Sequence, residues 1–440
     1  FKDVPYDKCC LFVPEGSVNA YKTAEGWKNF NHIVEDFAGG IVVVVNEPGT
    51  LNTKISSEDK NKITKLKVVG SLNIDDIQFL REMAGCWLKE NEKKTDGTLQ
   101  YLYLKDALLV GSDKSINVYK EGGWHDKTNR LEATAKIEAD GKNFSNLFRQ
   151  LTKLNTVIMP EYLTTTGHGT FANSPLSSVA LSSNITTISD STFYGCNYLK
   201  AIELPTHVTS IGTRAFGGCE LLSTITLPSG LTSIGTGAFS GCGFTEFVIP
   251  DGITTISDGL FSGCSKLTSI TLPKGLTAIG ASAFASCGFT EFVIPDGITT
   301  ISDYLFSGCS NLESVTCPKT VRHIGKGIFH NCGFRTFTLP KEINVITDEM
   351  FSNCHNLQEI YLHDGVTSIG NSAFSDCDNM TWIKIPASVT SIGTEAFKRS
   401  ALKEVSLPDG ITEIPDGAFL FCENLRSIHL PAELTRIGVC

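Results

Sequence analysis

Ten cysteines recur at a nearly fixed spacing in the second half of the chain, and regularly spaced thiols could form disulfides or bind a metal. Their interval is about 22 residues, with one gap twice as long. We call them the cysteine ladder: Cys196, Cys219, Cys242, Cys264, Cys287, Cys309, Cys332, Cys354, Cys377 and Cys422. Stacked repeats would hold neighbouring Cα atoms about 5 Å apart, but their Cβ atoms would point the same way. We expect packed free thiols, with occasional disulfides or a metal site as the alternatives.

Other residue types with catalytic or metal-binding chemistry are scattered. His168, His323 and His429 have no evident nucleophile partner in the sequence, and no CxxC pair occurs. Acidic residues recur at one position in five of the repeats and could suggest calcium: Asp190, Asp258, Asp303, Asp348 and Asp416. We interpret them as caps of short helical turns instead. The sequence predicts no catalytic residue, no cofactor and no metal site, and therefore no enzyme.

A phenylalanine ladder accompanies the cysteines. Each ladder cysteine follows a phenylalanine by three residues, and Ser400 takes the place of cysteine in one repeat. The eleven members are Phe193, Phe216, Phe239, Phe261, Phe284, Phe306, Phe329, Phe351, Phe374, Phe397 and Phe419. A sustained period of this length is typical of a solenoid, which presents an extended surface rather than a deep pocket.

The repeat from Cys219 to Cys242 shows how these elements are built. Apolar and polar residues alternate in 225–227, which predicts a short strand, and Pro228 ends it. Gly235 permits a tight bend, and Thr236 is placed to cap a single helical turn. The fold prediction is a solenoid: a right-handed coil with a parallel β-sheet on one side, short helical turns and loops elsewhere, and a mixed α+β N-terminal region.

The outward positions of the predicted strands change character along the array. The middle repeats carry Thr, Ser, Val and Glu, whereas the last four carry aromatic and charged residues. We name this set the end patch: Glu359, Tyr361, Trp382, Lys384, Glu404, Arg426 and His429. Exposed Trp, Tyr and Arg are typical of interface hot spots, and aromatic rings also suit sugar stacking. We predict a ligand-binding site here, with an ordinary solvated sheet face as the alternative.

Composition excludes several classes of partner. A net charge of −10 argues against nucleic acid, and no run of 18 apolar residues occurs that could span a bilayer. The chain does not begin with Met, and we expect its targeting segment to be missing from this sequence. The last repeat stops at Cys440, and we expect an uncapped end that could associate with another copy.

Three regions are predicted along the chain. Residues 1–37 form a small strand–helix unit, 38–165 an irregular α+β capping region that leads into the coil, and 166–440 the solenoid of about eleven repeats. In the second region, strands are expected at 41–45, 65–69, 101–104 and 156–159, and helices at 73–84 and 144–154. The polar stretches 89–98 and 111–143 are expected to be loops.

The repeat C-x-x-L-x-x-I-x-L-P-x-x-(V/L/I)-x-x-I-G-x-x-A-F resembles the BspA-like leucine-rich repeats. Cys219–Phe239 and Cys354–Phe374 show it well, although His363 replaces Pro in the second. The match covers about 175–440 and contains eleven copies in phase. Leu11–Glu35 looks like the segment that closes such arrays in surface proteins of anaerobic bacteria, but here it precedes the repeats.

The resemblance implies that the solenoid is a leucine-rich-repeat solenoid. It also implies a cell-surface or secreted, non-catalytic protein that binds a protein ligand, such as a host extracellular-matrix protein or a mucin. The alternatives are glycan binding at the end patch and a structural spacer that presents the N-terminal region.

Overall fold

The computed structural model describes residues 10–13, 17–27, 32–35, 37–87, 94–120 and 130–439. The chain divides into two compact units, Phe1–Ile185 and Thr186–Cys440. Pairing of strands in successive coils runs parallel in both units, so the fold is the predicted leucine-rich-repeat solenoid, with additional helices and strands in the N-terminal part.

The first unit contains the three helices of the described chain and eleven strands. The helices are α1 (Val18–Thr23), α2 (Leu51–Lys54) and α3 (Ile74–Met83). The strands are β1 (Cys10–Val13), β2 (His32–Glu35), β3 (Ile41–Val45), β4 (Lys65–Leu72), β5 (Tyr101–Tyr103), β6 (Ala107–Leu109), β7 (Ser115–Lys120), β8 (Arg130–Ile137), β9 (Phe144–Ser145), β10 (Thr156–Ile158) and β11 (Ser178–Ala180). A parallel sheet has the order β11-β10-β5-β4-β3, and β1 pairs with β2 separately.

Helix α3 follows the predicted capping pattern. The side chain of Asn73 accepts hydrogen bonds from the backbone N–H groups of Asp75 and Asp76. The Asp76 carboxylate in turn accepts a bond from the N–H of Asn73, which completes a capping box. Gly85 follows the helix with φ +75°, a conformation that glycine adopts without strain.

Two predictions for the first unit are wrong. The polar stretch 111–143 contains the antiparallel pair β7–β8, and β8 also pairs with β9. Residues 144–154 form a short strand and turns instead of a helix. Phe148 stacks on Phe171 with ring centroids 5.8 Å apart, which is the packing of a solenoid turn. Coil-like packing therefore begins earlier in the sequence than the cysteine ladder does.

The second unit consists of coils with two walls of short strands, and none of its described residues is helical. The first wall has three-residue strands: β13 (Ala201–Glu203), β15 (Thr224–Thr226), β17 (Glu246–Val248), β19 (Ser269–Thr271), β21 (Glu291–Val293), β23 (Ser314–Thr316), β25 (Thr336–Thr338), β27 (Glu359–Tyr361), β30 (Glu404–Ser406) and β32 (Ser427–His429). The second wall has two-residue strands: β12 (Thr187–Ile188), β14 (Ser210–Ile211), β16 (Ser233–Ile234), β18 (Thr255–Ile256), β20 (Ala278–Ile279), β22 (Thr300–Ile301), β24 (His323–Ile324), β26 (Val345–Ile346), β28 (Ser368–Ile369), β29 (Ser391–Ile392), β31 (Glu413–Ile414) and β33 (Arg436–Ile437).

The repeats occur in a long form and in a short form that lacks one residue, and strand pairing on both walls is interrupted at each short repeat. Strands joined through a long repeat pair in register, as Glu246 with Ser269 and Thr255 with Ala278 do. Strands joined through a short repeat, such as β15 and β17, are not paired in this part of the structure. The sheet predicted as continuous is therefore a series of short parallel sheets of two or three strands.

The corner that carries the phenylalanine ladder is continuous instead. Consecutive rings stack with centroids 5.2–6.2 Å apart at all ten steps of the ladder. At each step the backbone N–H of the phenylalanine donates to a carbonyl of the next coil, as Phe193 does to Ala215 at 2.8 Å. Stacked rings and unbroken hydrogen bonding make this corner the part of the coil that holds every repeat to the next.

The recurring aspartates stabilise the junctions between coils rather than helices. Asp258 Oδ1 accepts a hydrogen bond of 2.8 Å from the backbone N–H of Ala281, which occupies the same position one repeat later. The capping prediction was wrong in its partner, since the bond goes to the next coil. The same bond is made by Asp190, Asp303, Asp348, Asn371 and Asp416.

The cysteine ladder also links adjacent coils. All of its members are free thiols, and all but the half-buried Cys422 are buried. From Cys219 onward, each donates from Sγ to the carbonyl of the preceding repeat's phenylalanine, at 3.0–3.3 Å. Burial raises the thiol pKa, to about 12 for Cys219 and Cys264, so these thiols stay protonated and unreactive at neutral pH.

Candidate functional site

All seven residues of the end patch have exposed side chains. Tyr361 is 50% exposed and Trp382 is 42% exposed, while Ile383 beside Trp382 is buried. In β27 and β30 strand alternation produces this result, because the inward residue packs in the core and its two neighbours point to solvent.

Position along the coils divides the end patch into two columns. Glu359, Trp382 and Glu404 occupy the position before the buried residue of their repeats, and Tyr361 and Lys384 the position after it. The pairing of β30 with β32 then places Ser406 directly opposite His429. Arg426 lies one residue before β32, and its backbone N–H donates to the carbonyl of Lys403 at 2.8 Å.

A shallow depression of about 430 Å³ brings four members of the end patch together. Trp382, Lys384, Glu404 and His429 line it, with Val405 and Ser406 between them. Glu359, Tyr361 and Arg426 are not part of its lining. The structure therefore gathers part of the predicted site around one concave surface.

Small side chains account for the depression. Three other short repeats carry a pair of buried phenylalanines on this wall, as Phe244 and Phe247 do at ring centroids 4.8 Å apart. The repeat that begins at Ser400 has Leu402 and Val405 at those positions. Its outward residue is Ser406, where those three repeats have Val or Thr. Less volume inside and outside the wall leaves a hollow at this repeat.

The backbone beside the depression is also unusual. Residues 381–385 form no strand, and within the described chain neither the N–H nor the C=O groups of 382–385 form a hydrogen bond. The neighbouring strands β27 and β30 are paired on their far sides. Sequence reasoning expected a strand here, because Thr381–Ile385 alternates as the other repeats do. No local pattern in the sequence reveals this interruption.

Tyr361 and Glu359 interact with each other on β27. The Tyr361 hydroxyl donates to Glu359 Oε2 at 2.5 Å, and this bond is the largest cause that raises the pKa of Tyr361. The Glu359 carboxylate therefore already accepts one hydrogen bond within the end patch.

A second polar cluster on the phenylalanine corner was not predicted. The Tyr304 hydroxyl donates to Glu349 Oε2 at 2.7 Å, two repeats away, and this bond raises the pKa of Tyr304 to about 12. The ring crosses Gly327, where an added Cβ would lie 2.3 Å from Tyr304 Cε1. His330 Nε2 and Asn353 Nδ2 are 3.0 Å apart alongside. These bonds cross the interruption between β24 and β26 and serve to hold the coils together.

The described residues contain no group of three or more His, Cys, Asp or Glu side chains placed to hold a metal ion. None of the described helices has the length and apolar character needed to cross a membrane.

Comparison with known proteins identifies the repeats. The model of the BspA type leucine-rich repeat region matches in six copies over 144–245, 232–358 and 344–440. A leucine-rich repeat protein from Bacteroides ovatus is 26% identical, with a TM-score of 0.57, over 73% of this chain and 89% of that one. A leucine-rich cell surface protein from Faecalibacterium prausnitzii is 24% identical, with a TM-score of 0.43, over 67% of this chain and 92% of that one. No curated protein matches the chain. Because the matched repeats span 144–440, the chain belongs to the BspA-type leucine-rich repeat family.

Proposed function

We propose that this chain is a non-catalytic cell-surface or secreted repeat protein that binds a protein ligand through the end patch. The observation that carries the proposal is the depression, which gathers Trp382, Lys384, Glu404 and His429 on an otherwise plain wall. Trp382 presents an exposed ring beside charged side chains, which is the composition of a binding hot spot. Leucine-rich repeat domains in general bind other proteins through such extended faces.

Binding to purified host extracellular-matrix proteins and mucins tests the proposal. The double variant Trp382→Ala, Tyr361→Ala should lose about 30-fold or more in affinity for any protein that the wild type binds, since truncation of even one hot-spot aromatic costs about 2 kcal/mol. The matched control is Val248→Ala, Val293→Ala, which removes two side chains that are 64% and 66% exposed on the same wall. An equal loss of affinity in both double variants, or no loss in either, would show that the end patch is not the binding site.

Glycan binding is the second candidate, favoured by the exposed Trp382 ring next to the polar groups of Glu404 and His429. A glycan array probed with wild type and with Trp382→Ala distinguishes the two. Signals that vanish in the variant would favour glycans over a protein ligand. The spacer alternative predicts instead that both double variants bind normally and that deletion of 1–165 abolishes binding.

Cell-surface placement is part of the same proposal. Antibodies raised against the repeats should label intact cells or detect the protein in culture medium. Detection only after lysis would contradict it.

A further inference from the structure

The cations around the depression have no carboxylate partners. Lys384, Lys403 and Arg426 are exposed, and none of them forms an ion pair with any described residue. Cations elsewhere in the same repeats are paired: Lys398 with Glu395 at 2.9 Å, and Arg399 with Asp376 at 3.5 Å.

Many lysines and arginines elsewhere in the described chain are also unpaired, as Lys266, Lys319 and Lys341 are, but Lys384, Lys403 and Arg426 lie together beside the depression. The net charge of the chain is −10, so a group of cations without carboxylate partners departs from the chain's overall charge balance. In the middle repeats the same wall carries Glu246 and Glu291 at its outward positions. Near the depression the same wall carries Glu359 and Glu404 together with the cations Lys384, Lys403 and Arg426, so cations are added there to the acidic positions.

Two of the cations lie on adjacent coils. The hydrogen bond of 2.8 Å from the N–H of Arg426 to the carbonyl of Lys403 places their backbones side by side. Like charges on neighbouring strands repel, and an external anion would relieve that repulsion. Of the depression's lining residues, only Glu404 is acidic, whereas Lys384 is cationic.

The lining also favours an apolar side chain. Trp382, Ile383, Ile385, Ala387, Val405 and Pro408 make up six of its ten lining residues. Glycan recognition needs many polar groups to satisfy sugar hydroxyls, whereas a mostly apolar hollow with a few charges suits a peptide side chain.

We propose that the depression binds an acidic peptide segment of a protein partner. A carboxylate of the segment lies over Ser406, between Lys384 and His429, and an apolar side chain of the segment contacts Trp382. Further carboxylates meet Lys403 and Arg426. This inference rests on the proposed function and specifies the chemistry of its ligand.

The probes are two synthetic peptides of eight residues, one with four glutamates around a central Leu-Phe pair and one with glutamines in their place. Binding to the full chain is measured by calorimetry at low salt. We expect the acidic peptide to bind at least about tenfold more tightly than its glutamine counterpart, and the difference to shrink as salt screens the charges.

Two triple variants locate the site. Lys384→Gln, Lys403→Gln, Arg426→Gln should reduce the acidic peptide's affinity to that of the glutamine peptide. Lys266→Gln, Lys319→Gln, Lys341→Gln makes the same change in net charge at exposed positions away from the depression, and it should leave most of the difference intact. Equal affinity of the two peptides for the wild type, or equal loss in both triple variants, would overturn the proposal.

A sulfated oligosaccharide serves as the competing probe. Tighter binding of that probe than of the acidic peptide, lost in the Lys384, Lys403 and Arg426 triple variant, would assign the depression to an anionic glycan and overturn the peptide assignment. A third outcome separates this proposal from the proposed function: neither peptide binds, but Trp382→Ala, Tyr361→Ala still abolishes binding of a matrix protein or mucin. That outcome would overturn the acidic-peptide assignment and support the proposed function.

Discussion

The buried thiol of Cys264 predicts an alkaline destabilisation that one substitution removes. Burial is the largest cause that raises the pKa of this thiol to about 12, whereas a thiol in an unfolded chain titrates near about 8.5. As pH rises above the unfolded value, the unfolded chain loses this proton and the folded chain keeps it. The thiol's stabilising contribution is therefore fully present at neutral pH and declines as pH rises.

The size of the effect follows from the two titrations. Between about pH 7.5 and about pH 9.5, one such thiol lowers the free energy of unfolding by about 1.4 kcal/mol. Cys264→Ser removes this titration and keeps a donor for the Phe239 carbonyl, which Cys264 Sγ contacts at 3.1 Å. Ser400, only 2% exposed, shows that the ladder accepts a hydroxyl.

Urea unfolding of wild type and Cys264→Ser, followed by circular dichroism under reducing conditions at both pH values, measures the difference. The free energy of unfolding of the variant, taken relative to that of the wild type, should be about 1.4 kcal/mol higher at the higher pH than at the lower pH. The control Ser262→Ala changes a residue in the same turn that has no ionisable group. It should change the free energy of unfolding by the same amount at both pH values. A difference between wild type and Cys264→Ser that does not change with pH would refute the reasoning.

Three further predictions concern the coils. The backbone amides of 382–385 lack hydrogen bonds and should exchange faster in a hydrogen-exchange experiment than those of Glu359–Tyr361. Equal exchange rates would contradict the absence of strand pairing at 382–385. Gly327→Ala should lower the free energy of unfolding by about 1–3 kcal/mol, because φ is +58° and the Tyr304 ring lies 2.3 Å from the added Cβ. Gly230→Ala is the control, since nothing lies within 4 Å of its added Cβ, and thermal unfolding compares the two variants. Asp258→Ala should cost about 1 kcal/mol in urea unfolding, and no loss would show that its 2.8 Å bond to the next coil is dispensable.

The sequence predicted the inside of the solenoid well, because its determinants are local and repeated. The counterparts of Phe239 recur in every coil of the ladder and those of Cys242 in all but one, and all the phenylalanines except the last, Phe419, are buried. The capping box of Asn73 and Asp76 was equally local and was confirmed. Contacts between coils were harder to predict. Asp258 has the residue type of a helix cap, but its partner lies one full repeat away.

The N-terminal errors have a related cause. Phe148 belongs to a solenoid turn, yet Leu151 follows it where a cysteine would have marked the repeat. The antiparallel pair β7–β8 was predicted as a loop because its sequence is polar. Antiparallel strands with one solvated face need few apolar residues.

Exposure of the end patch followed from strand alternation, so all seven of its residues are correctly placed outward. The depression did not follow from it. It lies where Val405 and Ser406 replace larger residues, beside the stretch 381–385, which forms no strand. Lys403 was missed although it lies level with Arg426, one residue before its strand.

Photo-cross-linking from the depression is the most direct test of the claim that the end patch binds a protein ligand. A benzophenone amino acid is introduced at Ser406, inside the depression, or at Thr271, an exposed position of the same wall several coils away. Each protein is then irradiated with purified extracellular-matrix proteins and mucins. We predict adducts from position 406 that an excess of unlabelled wild type suppresses and the Trp382→Ala, Tyr361→Ala variant does not, with few adducts from position 271. Equal adducts from both positions, or none from position 406, would contradict the account.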